Sequence, residues 1–179
     1  MADQLTVDVS PVLGEAGATL ELDSDVPLES ITVGDTLAVF EVPPRIHVTL
    51  ANAGEVILLS GTVQATARLD CSRCLEPFAL ALTGVIDAIV SQTDDAEQRG
   101  VDQEWYPLDG DTLDLLPAAE GALRVELPFA PVHDEECRGI CPTCGCDLNR
   151  DSCTCEPVVE SVPENPFSSL KDLLPPEGE

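Results

Sequence analysis

The eight cysteines constrain this chain more than any other feature, because they fall at Cys71-x2-Cys74, Cys137-x3-Cys141-x2-Cys144, Cys146 and Cys153-x-Cys155. Thiols two residues apart turn toward one centre, and two such claws complete a tetrahedral zinc site. In Cys141-Pro142-Thr143-Cys144-Gly145 the proline fixes φ and the glycine accepts positive φ. That conformation turns backbone N–H groups toward the sulfurs. A structural Zn²⁺, one ion or two, is therefore the expected cofactor.

One histidine divides the cysteines into two sets. Cys71 and Cys74 have no other thiol pair near them in sequence, but Pro131-Val132-His133-Asp134-Glu135-Glu136-Cys137 supplies a His-x3-Cys spacing that zinc sites use. Cys71, Cys74, His133 and Cys137 make one expected site. Cys141, Cys144, Cys153 and Cys155 make a second, all-cysteine site, which leaves Cys146 as an outer-sphere or spare thiol. Spacing alone leaves other partitions open, among them Cys71, Cys74, Cys141 and Cys144 about one ion. Without metal the same cysteines read as disulfides or free thiols, with Cys71 and Cys74 a redox-active pair at a strand end. His47 sits in the alternating run Ile46 to Leu50 and reads as a polar-face strand residue without a role.

The amino terminus has no basic leader, and no apolar run approaches the ~20 residues of a membrane span. The expected location is the cytoplasm, where reducing conditions disfavour stable disulfides and so favour metal. Thirty-four acidic against 8 basic groups leave a net charge of −26. Affinity for phosphate comes from Lys and Arg, so this balance excludes a general nucleic-acid coat. Four of the few arginines, Arg68, Arg73, Arg138 and Arg150, lie in or beside the cysteine segments. They are candidates for a local contact with a partner or RNA; the competing reading is that they offset thiolate charge or pair with nearby carboxylates. The acidic remainder suits a basic protein partner, such as a ribosomal protein, or simple solubility.

The 44% hydrophobic content supports a real core, and 3% aromatics make it aliphatic. Leu5, Val7 and Val9 alternate with polar residues, as do Val63, Ala65, Ala67 and Leu69. This period of two predicts strands up to about residue 90. Val56 to Asp70 and Pro77 to Val90 read as two long antiparallel strands with the first claw in the turn between them. Ser91 to Gln103 reads as a mobile acidic loop, and Trp105, Tyr106 and Leu108 as a short strand. Leu116, Ala119, Leu123 and Leu127 then follow the helical period, with Asp111 or Asp114 as cap, Pro117 in the first turn and Pro128 as the stop.

The expected fold is α+β: a β-rich antiparallel sheet domain over 1–130 with one principal helix near 115–127, then a cysteine-rich zinc-knuckle segment over 131–156. An acidic, proline-rich tail over 157–179 completes the chain. Its Asn165-Pro166-Phe167-Ser168-Ser169-Leu170-Lys171 stretch is read as one short amphipathic turn or a loose terminus.

Several stretches together resemble one family. They are Cys71-Ser72-Arg73-Cys74-Leu75-Glu76-Pro77-Phe78, then Leu127-Pro128 with Pro131 to Cys137, then Gly139 to Asn149 and Cys153-x-Cys155. Their order is similar to that in the YceD family of large ribosomal RNA accumulation proteins. The resemblance implies a factor for synthesis or accumulation of large-subunit ribosomal RNA, acting with a ribosomal protein or a precursor particle. It also implies a ligand at His133, where longer members carry cysteine, whereas Cys146 departs from the family pattern. Three classes remain: a non-enzymatic ribosome-biogenesis factor, preferred; a zinc-dependent thiol redox switch or protein-interaction module; and an enzyme, placed last. The chain shows no HExxH, no phosphate-cradling glycine loop and no nucleophile elbow.

Overall fold

The computed structural model describes residues 4–91 and 104–155. The acidic loop read over Ser91 to Gln103, apart from Ser91 itself, lies outside these residues, as does the proline-rich tail with its Asn165-Pro166-Phe167 sequence. The chain divides into two compact units, one ending at Cys137 and the other beginning at Arg138. Residues 131–137 belong to the first, where the Ser72 N–H donates to the Pro131 carbonyl at 2.7 Å.

The first unit is mostly antiparallel sheet with few helices, a β-rich α+β fold. Its spine is a long hairpin of β6 (Ile57–Asp70) and β7 (Pro77–Ser91), in register from Ile57 opposite Val90 to Asp70 opposite Pro77. Odd residues of β6 and even residues of β7 face the core: Leu59 stands opposite Ala88, Val63 opposite Gly84, Ala67 opposite Leu80 and Leu69 opposite Phe78. This two-residue period is the one read in the sequence, and burial of one face sets the register.

The other edge of β6 is shared by two strands in succession. β5 (Arg45–Asn52) pairs with its first half and β4 (Thr36–Phe40) with Ala67 and Arg68. β2 (Thr19–Asp25) adds to β5, and β3 (Ser30–Val33) to β4, both antiparallel. His47 faces outward beside Asp23, its Nδ1 3.8 Å from a carboxylate oxygen.

β8 (Glu104–Pro107) lies parallel to β7, Ile89 opposite Trp105, the one departure from antiparallel pairing among the described residues. It includes Trp105 and Tyr106 as expected, while Leu108 falls just beyond it, its N–H bonded to the Ser91 carbonyl. The added strand also explains why Ala88, Ile89 and Val90 are all buried, breaking the alternation of β7.

A second pairing was not legible in the sequence. β1 (Thr6–Asp8) pairs antiparallel with β9 (Thr112–Asp114), across more than a hundred residues. Val9 ends the alternation begun by Leu5 and Val7 and opens α1 (Ser10–Leu13), where Pro11 is pre-set for a first helical turn.

The principal helix is α2 (Leu116–Glu126), which starts after Leu115, carries Pro117 in its first turn and ends before Pro128. It buries Ala118, Ala119, Ala122 and Leu123. Neither candidate is the N-cap residue, which is Leu115, but Asp114 just before it supports the helix start, because its Oδ1 accepts the N–H groups of Leu116 at 3.0 Å and Leu5 at 3.1 Å. One carboxylate thus ties the amino terminus to the helix start. Asp114→Ala is expected to cost about 1–2 kcal/mol in urea unfolding, the cost of leaving two part-buried N–H groups without their acceptor. An unchanged midpoint would show that neither bond contributes.

Candidate metal centres

The β6–β7 hairpin delivers the first claw. After the Asp70–Pro77 pair the Cys71 N–H donates to the Glu76 carbonyl, and the Leu75 N–H donates back to the Cys71 carbonyl at 2.8 Å. The second half arrives from the chain beyond α2. The Cys137 N–H donates to the Asp134 carbonyl, and the Glu136 N–H to the Asp134 side chain. The His133 ring lies against Phe78, centroids 6.5 Å apart. Arg73 locks the two parts together by donating from Nη1 to the carbonyls of Glu135 and Cys137, both at 2.9 Å.

Cys71, Cys74, His133 and Cys137 converge as a result, one donor atom from each lying within 4.8 Å of all the others. Cys71 Sγ is 3.8 Å from Cys137 Sγ, and Cys74 Sγ is 3.5 Å from His133 Nδ1. A tetrahedral zinc with bonds of ~2.3 Å to sulfur and ~2.0–2.1 Å to nitrogen has edges of about 3.8 Å between sulfurs and about 3.6 Å between sulfur and nitrogen. The spacing fits such an ion, and it is far from the ~2.05 Å of a disulfide.

The second unit is built on another knuckle. Gly145, at φ 74°, donates its N–H to the Cys141 carbonyl, and the Cys141 N–H donates to the Cys146 carbonyl, both at 2.8 Å. An Ile140–Asp147 bridge and a Leu148 N–H bond to the Gly139 carbonyl close the loop. Here the converged quartet differs from the expected one: it is Cys141, Cys144, Cys146 and Cys153. The left-handed turn at Gly145 swings Cys146 back, so that its sulfur lies 3.4 Å from that of Cys144. Cys153 Sγ is 3.5 Å from Cys144 Sγ and 3.4 Å from Cys141 Sγ. Cys155 stands beside the group, its N–H donating to Cys153 Sγ at 3.3 Å. Spacing rules built on C-x2-C overlook Cys146; the signal is the Cys-Gly-Cys sequence, which returns the chain after the knuckle.

The thiols of each cluster compete for charge. Burial pushes Cys71 up, but N–H groups of His133, Cys74 and Arg73 together with the His133 ring outweigh it and bring the thiol down to about 5. Backbone N–H groups of Cys144 and Thr143 bring Cys141 down to about 6. Burial, then the neighbouring Cys71 and Cys137, push Cys74 up to about 11; the Cys144 thiol and burial push Cys146 up to about 12. The Cys71 thiolate thus opposes ionisation of Cys74, and the Cys144 thiolate that of Cys146, so a cation in each cluster would favour the ionised thiols. These clusters can hold a metal ion.

The two knuckles differ in the residue that follows the second cysteine. Gly145 and Leu75 each follow the second cysteine, and each is left-handed, but Leu75 carries a side chain at φ 62°. This costs roughly 1–2 kcal/mol relative to glycine.

The four arginines separate by role. Arg73 binds the carbonyls beside the first cluster, Arg68 pairs with Glu41 at 3.2 Å, and Arg150 with Asp147 at 3.5 Å. The backbone N–H of Arg138 donates to Asn149 Oδ1, and its side chain is exposed.

Residues 59–174 match the family described as "Large ribosomal RNA subunit accumulation protein YceD". The chain belongs to the YceD family. Proteins of Mycobacterium tuberculosis and Mycobacterium bovis, each described as uncharacterized, are 30% identical over 190 residues, covering 100% of this chain and 86% of theirs. A Zea mays protein named "Large ribosomal RNA subunit accumulation protein YCED homolog 1, chloroplastic" is 26% identical over 163 residues, covering 75% of this chain and 56% of its own. No solved structure matches the chain. No helix among the described residues is long and apolar enough to cross a membrane.

Proposed function

We propose that this chain is a non-enzymatic accessory factor in large-subunit ribosomal RNA accumulation, stapled by two structural zinc ions. The observation that carries the reading is the pair of four-donor clusters in a member of this family. Each supplies a full tetrahedral set from the protein, whereas a catalytic zinc keeps one position for water or substrate. The ligands proposed are Cys71, Cys74, His133 and Cys137 for one ion, and Cys141, Cys144, Cys146 and Cys153 for the other. The sheet unit serves as scaffold, and a basic ribosomal protein or a precursor particle in the cytoplasm is the partner. Elemental analysis of reduced protein should find two zinc ions per chain, and the tagged protein should co-sediment with large-subunit precursors on a sucrose gradient. Absence of zinc together with sedimentation only at the top of the gradient would defeat the proposal.

Cys155 favours a second reading. Its thiol lies against those of Cys153 and Cys144, which push it up to about 12. A raised thiol is itself a poor target for peroxide, but it can resolve one: peroxide oxidises the Cys153 thiolate to a sulfenic acid, and the Cys155 thiol then displaces water from it to form the Cys153–Cys155 disulfide, which no longer holds zinc. Zinc loss at low peroxide, absent in Cys155→Ser, would favour a thiol switch.

A further inference from the structure

Three walls of the first unit enclose a groove of about 610 Å³. They are the β3–β4 hairpin, the first claw and the segment after α2. That segment is pinned at two points, since the Thr36 hydroxyl donates to the Phe129 carbonyl at 3.2 Å and the Ser72 N–H to the Pro131 carbonyl. Its Phe129 ring is nevertheless 84% exposed, and across the groove Leu75 is 64% and Leu37 54% exposed. Val39 continues this apolar lining.

Two further observations say what the groove takes. The first is Leu75, which holds a left-handed backbone where the other knuckle has Gly145. A glycine would relieve the strain, so the fold does not account for an exposed leucine at this position; strained backbone that local structure does not require points to function. The second is charge. Asp35, Glu41 and Asp70 border the groove, and its one arginine, Arg68, is already paired with Glu41. The rim repels phosphate and attracts cations, while the floor takes apolar side chains.

We propose that this groove docks a lysine- and arginine-rich protein segment that inserts apolar side chains between Leu37, Leu75 and Phe129. The inference rests on the preceding reading only in taking a protein partner as the means of action. RNA does not fit, since the acidic rim opposes it.

The test uses the zinc-loaded full chain and a fluorescein-labelled peptide of about twelve residues alternating lysine and leucine. Its counterparts carry serine for leucine or glutamate for lysine, and an oligouridine of similar length is the fourth probe. In fluorescence anisotropy at about 0.15 M salt, only the lysine–leucine peptide is expected to bind. Leu75→Gly and Phe129→Ser should each weaken it at least about tenfold, and Asp70→Asn should weaken it without altering the preference for leucine. Leu75→Gly should melt no lower than the parent, which separates lost docking from lost fold. Unchanged binding by Leu75→Gly, equal binding of the serine peptide or of oligouridine, or no binding by the parent would each overturn the proposal. Failure of the parent to co-sediment with precursor particles would sink the biogenesis reading and leave a Leu75-dependent peptide result standing.

Discussion

A strong chelator added to the zinc-loaded protein is expected to abolish hydrogen-exchange protection at the amides of Cys141, Gly145 and Leu148, by a factor of at least about 10³. The reason is the poverty of the described part of the second unit, residues 138–155. Its described residues contain no helix and no strand longer than the single Ile140–Asp147 bridge. Among those described residues the one buried side chain is Cys141, while Ile140 stays exposed and Leu148 half-buried. The apolar content of residues 138–155 is too small to offset the ordering of this loop, and the zinc proposed above, worth ~10–16 kcal/mol in structural sites, would supply the folding free energy.

The sheet unit should respond differently. Its core joins β2 to β9 and α2 without using the cysteines, so amides of Leu59, Val63 and Ile86 keep their protection when zinc is withdrawn. Only the hairpin tip, where Cys71 and Leu75 exchange bonds with their neighbours, should loosen. Cys144→Ser makes the same point without a chelator: of the two zinc ions proposed, one should be lost, and the lost protection should be confined to residues 138–155. Equal loss in β6 and β7 would show that one metal-dependent cooperative unit spans the chain.

What the sequence made legible, and what it hid, follows from where the determining contacts lie. The β6–β7 hairpin announced itself because alternation, the CxxC turn and Pro77 are all local. The helix did so because Pro117 and Pro128 bracket its apolar period. The β1–β9 pair was hidden, since it depends on Asp114 receiving the Leu5 N–H from far along the chain, and three-residue strands carry almost no period. The short strand at Trp105 and Tyr106 was legible, but its parallel pairing with β7 was not, because nothing in Glu104–Pro107 encodes a neighbour's direction. Counting donors groups His133 with Cys74, and the same count sets Cys146 aside. Counting supplies the number of sulfurs; the left-handed turn at Gly145 decides which of them converge.

Gly84→Val is the second substitution with a large expected effect, and it tests the seat of the principal helix. Gly84 lies on the inward face of β7 opposite Val63, where α2 crosses the sheet. A Cβ there would stand 2.7 Å from the carbonyl carbon and oxygen of Ala122 and 2.9 Å from its Cβ. Most of the obstruction is backbone, so no rotamer change relieves it. The helix contributes Ala118, Ala119 and Ala122 to the contact, small residues that leave no slack for two further methyl groups. Either α2 lifts, exposing Leu123, or the hairpin bends, and both forfeit packing in one core. The expected loss is at least about 3 kcal/mol, roughly 10 °C in melting temperature. Gly121→Ala, two positions earlier than Leu123 on the same helix, should act in the opposite direction. Its nearest neighbour would be Tyr106 Oη at 3.7 Å, an ordinary contact. Alanine for glycine inside a helix then stabilises by about 0.5–1 kcal/mol. Opposite signs for the two substitutions follow only if α2 presses on β7 at Gly84 and stands clear at Gly121; a tolerated Gly84→Val would place the helix elsewhere.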